Sequence, residues 1–351
     1  MAESWNRYGP TVARRRTDRA GLKPRGPVVD FHSHVWVSEA AEFVRPHLPA
    51  RADGQTAPET LELSRRQESE RRSRMLDIEQ RLAEVDAMGV EVQVIKPAPG
   101  QCYHALDPAV GAEAARLVNN GIAAFAARRP DRFVPFGTVP MQDGRLAAAE
   151  LTRCARELGL KGVQVLTNIA GKEVSDPDLE PFWSAAEASG TFVVLHPSGF
   201  TEPRRFGRFY FGNVIGNPLD TTMALHHLIF DGVLERHPGL RILAVHGGGY
   251  LPGYIGRMDH AWGARSDARG TLPQPPSSYL KRVYVDSVVF TPEQLENLVR
   301  VFGADHVLMG TDYPYDMAEY EPLDHLASAR GLGQAEVDAI GGRNAAALLG
   351  L

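Results

Sequence analysis

Two histidines one residue apart, in Phe31-His32-Ser33-His34, close a short apolar run that begins at Val28-Val29. Alternate side chains of an extended strand share a face, so His32 and His34 can grip one cation together. Taken alone, the pair reads equally well as two surface or capping histidines. Three further runs of strand character end in the same kind of residue: Val193-Val194-Leu195-His196, Leu243-Ala244-Val245-His246 and Leu308-Met309-Gly310-Thr311-Asp312. His32, His34, His196 and Asp312 make a nitrogen and oxygen ligand set suited to one divalent ion, Zn²⁺ first and Mn²⁺ or Co²⁺ after it, with a position left for water or substrate. His246 stands before Gly247-Gly248-Gly249, where backbone or ligand can approach closely. It is either a further ligand or a general base, and we read it as the base. Arg257, in the helical stretch that opens at Leu251-Pro252, can hold a carboxylate by two parallel bonds or pair with Asp259.

These residues need a scaffold that brings strand ends together. Strand candidates run over Val28–His34, Val90–Lys96, Phe133–Val139, Gly162–Leu166, Phe192–Pro197, Arg241–Gly247, Val283–Val288 and Val307–Asp312. They are apolar without strict alternation, as strands covered on both faces are. Helical periodicity fills the gaps at Arg81–Met88, Gly111–Arg129, Leu146–Leu158, Leu179–Ser189, Thr221–Arg236 and Pro292–Phe302. Gly89 and Gly190 mark helix ends, and Thr291-Pro292 marks a helix start. The alternation predicts an α/β fold, a (β/α)₈ TIM barrel over residues 28–351 in one domain. His32 and His34, His196, His246 and Asp312 then fall at the carboxyl ends of strands one, five, six and eight, where such barrels place their sites. Residues 1–27 are read as an N-terminal arm. Residues 39–74 are too long for a simple connection and end in a charge run, Arg65 to Arg74; they form either a solvated helix face or a lid whose arginine reaches the site.

Composition narrows the class of partner. The chain has 351 residues, 43% hydrophobic and 23% charged, with a net charge of −5, which gives no reason to expect nucleic acid or an acidic membrane surface. No apolar run approaches the roughly 18–20 residues that span a bilayer. Arg14-Arg15-Arg16 is not followed by the apolar stretch of an export signal. Cys102 and Cys154, the only cysteines, lack ligand spacing and suit a reducing cytoplasm. Both are read as packed thiols, although Cys102 could stand at a site mouth. His226 and His227, inside an apolar helical stretch, and His237, at a helix end, are assigned structural roles.

Asp30-Phe31-His32-Ser33-His34, Leu195-His196-Pro197, His246-Gly247-Gly248-Gly249 and Gly310-Thr311-Asp312-Tyr313-Pro314 together resemble the amidohydrolase-2 branch of the amidohydrolase superfamily. Within it the chain is similar to the metal-dependent decarboxylases that include the aminocarboxymuconate semialdehyde decarboxylases. The resemblance runs from about Val28 to Leu351. It implies a mononuclear divalent metal on His32, His34, His196 and Asp312, with His246 acting at the substrate. It implies that Arg257 binds a substrate carboxylate, in some relatives from the neighbouring subunit of a homodimer. A second family arginine lies upstream of the Arg81–Asp86 helix; several arginines compete for that position, and Arg72 is the one chosen. Ser198 and Tyr315 replace residues that lie near substrate in the relatives, so a different small carboxylate is expected.

The reaction expected is non-oxidative decarboxylation of a small aromatic or unsaturated acid, with His246 and Asp312 as the catalytic residues. The alternative is hydrolysis of a C–C, lactone or amide bond, which would use the same ligands to activate water.

Overall fold

The computed structural model describes residues 22–48, 56–201 and 205–351. Eight strands, β1 (Val29–Val35), β2 (Val92–Pro97), β3 (Phe133–Thr138), β4 (Gly162–Leu166), β5 (Phe192–His196), β6 (Arg241–Ala244), β7 (Val283–Asp286) and β8 (Val307–Leu308), pair in parallel in that order. The residues after β8 close the barrel against β1. Phe31 N–H donates to Met309 O (2.8 Å), Asp312 N–H to His32 O (2.7 Å) and His34 N–H to Tyr313 O (2.8 Å). The seam of the barrel is therefore made by the segments that carry His32, His34 and Asp312.

Both faces of the strands are buried, which accounts for their continuous apolar character. Phe31, Val94, Phe136, Phe192, Val194, Leu243 and Leu308 fill the barrel floor, and the Phe31 ring meets those of Phe136 and Phe192 at 5.5 and 5.2 Å. Val163, Val193, Ile242, Val283 and Val307 face outward into the layer of helices. The pairing of β1 with β2 slips by one residue: Asp30 partners Gln93, but Ser33 partners Ile95. This bulge puts Phe31 into the floor and still turns His32 and His34 into the space above it.

The helices follow the expected order: α1 (Ser38–Val44), α2 (Pro58–Leu76), α3 (Ile78–Ala87), α4 (Pro108–Ala127), α5 (Gly144–Glu157), α6 (Glu180–Ser189), α7 (Asn217–Phe230), α8 (Leu251–Ala264) and α9 (Pro292–Phe302). Gly190 ends α6 in the left-handed conformation, and Thr291 Oγ1 caps α9 by accepting from Gln294 N–H. Two strands are shorter than their apolar runs suggest. β6 stops at Ala244, and Val245–Gly248 forms a helical turn through consecutive left-handed residues. β8 pairs with β7 only over Val307–Leu308, after which the chain turns to β1.

The 39–74 segment is α1 and most of α2, with residues 49–55 outside the described parts. Within α2, Ser64, Gln67, Arg71 and Met75 fall on one stripe at the i, i+3, i+7, i+11 spacing of a helix face, and Met75 is buried. Of the predicted arm, residues 1–21 also lie outside the described parts. Residues 22–27 dock on the short helix Gln334–Asp338, where Asp338 accepts from the backbone N–H of Arg25 (3.0 Å) and from its guanidinium (2.9 and 3.2 Å). His237, assigned a structural role, bridges Glu187 (2.9 Å) and Glu180 (2.6 Å) of α6.

Phe136→Ala removes a ring from the barrel floor without touching any strand-end polar residue. It should cost about 3–5 kcal/mol of stability, read as a lower denaturant midpoint at unchanged slope.

Candidate metal centre and active site

The strand ends bring four side chains into one buried cluster: His32, His34, His196 and Asp312, whose ligand atoms all lie within 4.8 Å of one another. The far ring nitrogen of each histidine is committed elsewhere. His34 Nδ1 lies 3.0 Å from Pro97 O, and His196 Nδ1 lies 2.6 Å from Pro197 O. A carbonyl oxygen only accepts, so each of these nitrogens carries the proton. His32 Nδ1 lies 2.6 Å from Asp286 Oδ2, and that carboxylate already accepts from Gly247 N–H through its other oxygen. The three Nε2 atoms are thus left as lone pairs. His32 Nε2 and His34 Nε2 face each other at 3.1 Å, with Asp312 Oδ1 at 3.3 and 3.1 Å from them. His196 Nε2 is buried without a hydrogen-bond partner among the described residues. Acceptors crowded together without a proton between them repel, and a cation among them turns that repulsion into attraction. The donor set fits one divalent ion held by His32, His34, His196 and Asp312.

Electrostatics agree with ligands ready for a cation. Burial pushes the imidazoles of His32 and His196 well below their ordinary value, and that of His34 below it. For Asp312 burial acts upward, but the neighbouring imidazoles of His32, His246 and His34 outweigh it and hold the carboxyl well below the usual range. His246 stands beside the four, its Nε2 3.5 Å from Asp312 Oδ2. Burial pushes this imidazole down, yet the bond to Asp312 and the charges of Asp312 and Asp286 carry it above its ordinary value.

His246 and Asp312 both take left-handed backbone angles, φ 55° and 61°. Such angles cost a non-glycine residue roughly 1–2 kcal/mol and persist where the surroundings impose them. At His246 they are imposed by the glycine run, in which a Cβ on Gly249 would come within 2.2 Å of Pro218 O.

Above the cluster lies a cavity of about 240 Å³, lined by His196, His246 and Asp312 below, by Ser64, Gln67 and Arg71 of α2 above, and by Ser198, Tyr210, Tyr315 and Asp316 at the sides. Ser198 and Tyr315, which the resemblance puts near substrate, both line this cavity, and the Tyr315 ring packs 5.2 Å from His34. The arginine over the cavity is Arg71, its guanidinium 4.8 Å above the Tyr315 ring. Arg72 points into neighbouring hollows bounded by Trp36. Counting back one turn from buried Met75 reaches Arg71, and that helical phase is the signal that separates the two. Arg257 is not in the cavity: it lines a surface groove with His226, Phe230, Leu251 and Tyr254. Burial pushes the Cys102 thiol up to about 11, which makes it a packed thiol. Three further residues of the site have no motif of their own. Asp286 shows in the sequence only as an acid at another strand end, and Tyr210 and Asp316, joined at 3.3 Å, carry no spacing signal at all.

A family model described as amidohydrolase matches residues 29–351. The 2-amino-3-carboxymuconate-6-semialdehyde decarboxylase of Dictyostelium discoideum is 33% identical over 276 residues, 78% of this chain and 77% of that one. Among solved structures, 5-carboxyvanillate decarboxylase from Sphingomonas paucimobilis superposes with a TM-score of 0.81 at 25% identity, covering 93% of this chain and 99% of that one. A dihydroxybenzoic acid decarboxylase from Polaromonas, solved with manganese and the inhibitor 2-nitroresorcinol, gives 0.77 at 26% identity, with 93% and 97% covered.

His196→Ala should strip the bound ion, and Asp286→Asn, which loosens the orientation of His32 and removes a negative charge near the cluster, should weaken metal affinity about 10–100-fold. Metal content after dialysis and titration of the metal-free protein measure both effects. A metal content unchanged in His196→Ala would overturn the ligand assignment.

Proposed function

The chain belongs to the amidohydrolase family, and on that premise we propose that it is a metal-dependent carboxy-lyase that removes carbon dioxide, without oxidation, from a small hydroxylated aromatic carboxylic acid. The observation that carries the reading is the cavity itself: a lone-pair cluster at its floor and Arg71 at its roof. No carboxylate pairs with Arg71 among the described residues, so its charge is available to an anionic ligand. The cavity volume is below the roughly 300–1,000 Å³ of sites for larger ligands, and a single ring suits it. The three relatives described above are decarboxylases by name, which favours this reading over hydrolysis.

When bound, the divalent ion would supply Lewis-acid polarisation and a template for the acid's oxygens. Zn²⁺ and Mn²⁺ both suit the three imidazoles and the carboxylate, and the manganese in the Polaromonas enzyme supports testing both. Arg71 holds the substrate's charge and Tyr315 walls its ring. His246, with its raised basicity and its bond to Asp312, delivers a proton to the ring carbon that bears the carboxylate. The C–C bond to the carboxylate then breaks, its electron pair restores the aromatic ring, and carbon dioxide departs through the cavity mouth.

Arg257 and the half-exposed to exposed aromatic residues around it belong to a different surface. Tyr254, one helical turn before Arg257 and lining the same groove, is 68% exposed. We place this face at the interface of a homodimer, through which Arg257 would reach the partner's cavity. Two buried free thiols suit a cytoplasmic location.

The decisive assay incubates the metal-loaded protein with a panel of hydroxybenzoates, 2,6-dihydroxybenzoate among them, in D₂O. Carbon dioxide release with one deuterium at the vacated carbon is expected. Release from none of the panel, or ¹⁸O from labelled water entering a product carboxylate, would contradict the reading. His246→Asn should leave metal content intact and lower kcat on the order of 10²-fold or more. Arg71→Ala should act chiefly through a raised KM, while Tyr254→Asp should yield monomers by light scattering.

A further inference from the structure

Lys96 lies on β2 directly beside His34 of β1, its ladder partner. The side chain is wholly buried, and its Nζ donates to Phe31 O at 3.0 Å. No other hydrogen bond to this nitrogen exists among the described residues. An ammonium sealed in a barrel interior is expensive unless neighbouring charge compensates it. The acids acting on it are Asp30, Asp286 and Asp312, and it is in turn a cation felt by His32 and His34.

The donors around Asp30 and Asp286 are those that carboxylates accept. Asp30 accepts from the backbone N–H groups of His32 (2.9 Å) and Thr311 (3.0 Å), from the Thr311 hydroxyl (2.6 Å) and from the Gln93 amide (2.8 Å). Asp286 accepts from Gly247 N–H (3.0 Å) and Val288 N–H (3.2 Å) as well as from His32 Nδ1. Burial pushes the carboxyls of Asp30 and Asp286 upward, and the donors around each act against it. Asp312 offers both oxygens to imidazoles. Arg81, the other wholly buried cation near β1, has the acid of Glu84 acting on it as well as Asp30. With His246 counted as neutral, before substrate brings its own charge, three carboxylates and one ammonium leave the barrel interior two negative charges away from neutral, and one divalent ion supplies that difference.

We propose that Lys96 is the charge-balancing residue of the metal centre: its ammonium, enclosed with Asp30, Asp286 and Asp312, brings the occupied centre to neutrality and sets how tightly a divalent ion is held. It is a positioning residue rather than a catalytic one, since among the described residues its hydrogen bond goes to Phe31 O and it is not part of the cavity lining. The proposal rests on the metal reading of the four-residue cluster.

The consequence runs opposite to structural damage. Removing an ammonium close to the ion takes away a repulsion, so the ion should bind more tightly, whereas a loosened barrel can only bind it less tightly. Lys96→Met keeps the length of the side chain, and Lys96→Gln also keeps a donor for Phe31 O, so a fold that fails with the first has a second chance. Mn²⁺ is titrated into the metal-free full chain and free Mn²⁺ is followed by electron paramagnetic resonance. In the folded variants the dissociation constant should fall on the order of tenfold or more. A dissociation constant unchanged or raised in variants that still melt cooperatively would overturn the proposal, and so would failure of both variants to fold, which would make the lysine a purely structural need. Wild-type protein that takes up no Mn²⁺ or Zn²⁺ would instead overturn the metal reading itself.

Discussion

Three imidazole lone pairs and a carboxylate oxygen, pointed at one another inside a barrel with no proton between them, are the constraint on which the rest of the structure depends. Such an arrangement repels itself, so it must be held from outside. The carbonyls of Pro97 and Pro197 and the carboxylate of Asp286 do this by accepting from the Nδ1–H groups, which fixes both the tautomer and the plane of each ring. The same need explains why the barrel seam runs through Met309–Tyr313: bonding this segment to β1 holds Asp312 against His32 and His34.

Local cost is concentrated around this cluster. Left-handed backbone at His246 and Asp312, a bulge between Asp30 and Ser33, and a buried lysine beside a ligand strand would each weaken an ordinary barrel. Phe31, Phe136 and Phe192 beneath the cluster supply apolar packing that offsets them. The division is the familiar one of TIM barrels, with stability at the floor and chemistry at the carboxyl ends of the strands.

Most of the barrel is legible in the sequence because a strand covered on both faces needs an unbroken apolar run, and eight of them alternate with helical periods. His32, His34, His196 and Asp312 are legible for a related reason: each alone has an ordinary use, but ligand types that end several such runs all fall at one end of the barrel. The boundaries are less so. The run into His246 reads as strand up to Gly247, but the glycines permit left-handed angles that end the strand at Ala244. Arg72 and Arg71 differ by about 100° around α2, a distinction that needs the buried position of Met75 as a reference. Asp286 and Lys96 act through other residues, and nothing in their own spacing marks them. The place of Arg257 depends on how α8 lies against α7, a tertiary matter that no local pattern encodes.

Anomalous diffraction from crystals grown with Mn²⁺ tests the central claim most directly. One peak per chain is predicted, bonded to Nε2 of His32, His34 and His196 and to the Asp312 carboxylate, with the Nδ1 contacts to Asp286, Pro97 and Pro197 unchanged. A peak bonded through any Nδ1 atom, or lying away from this cluster, would contradict it.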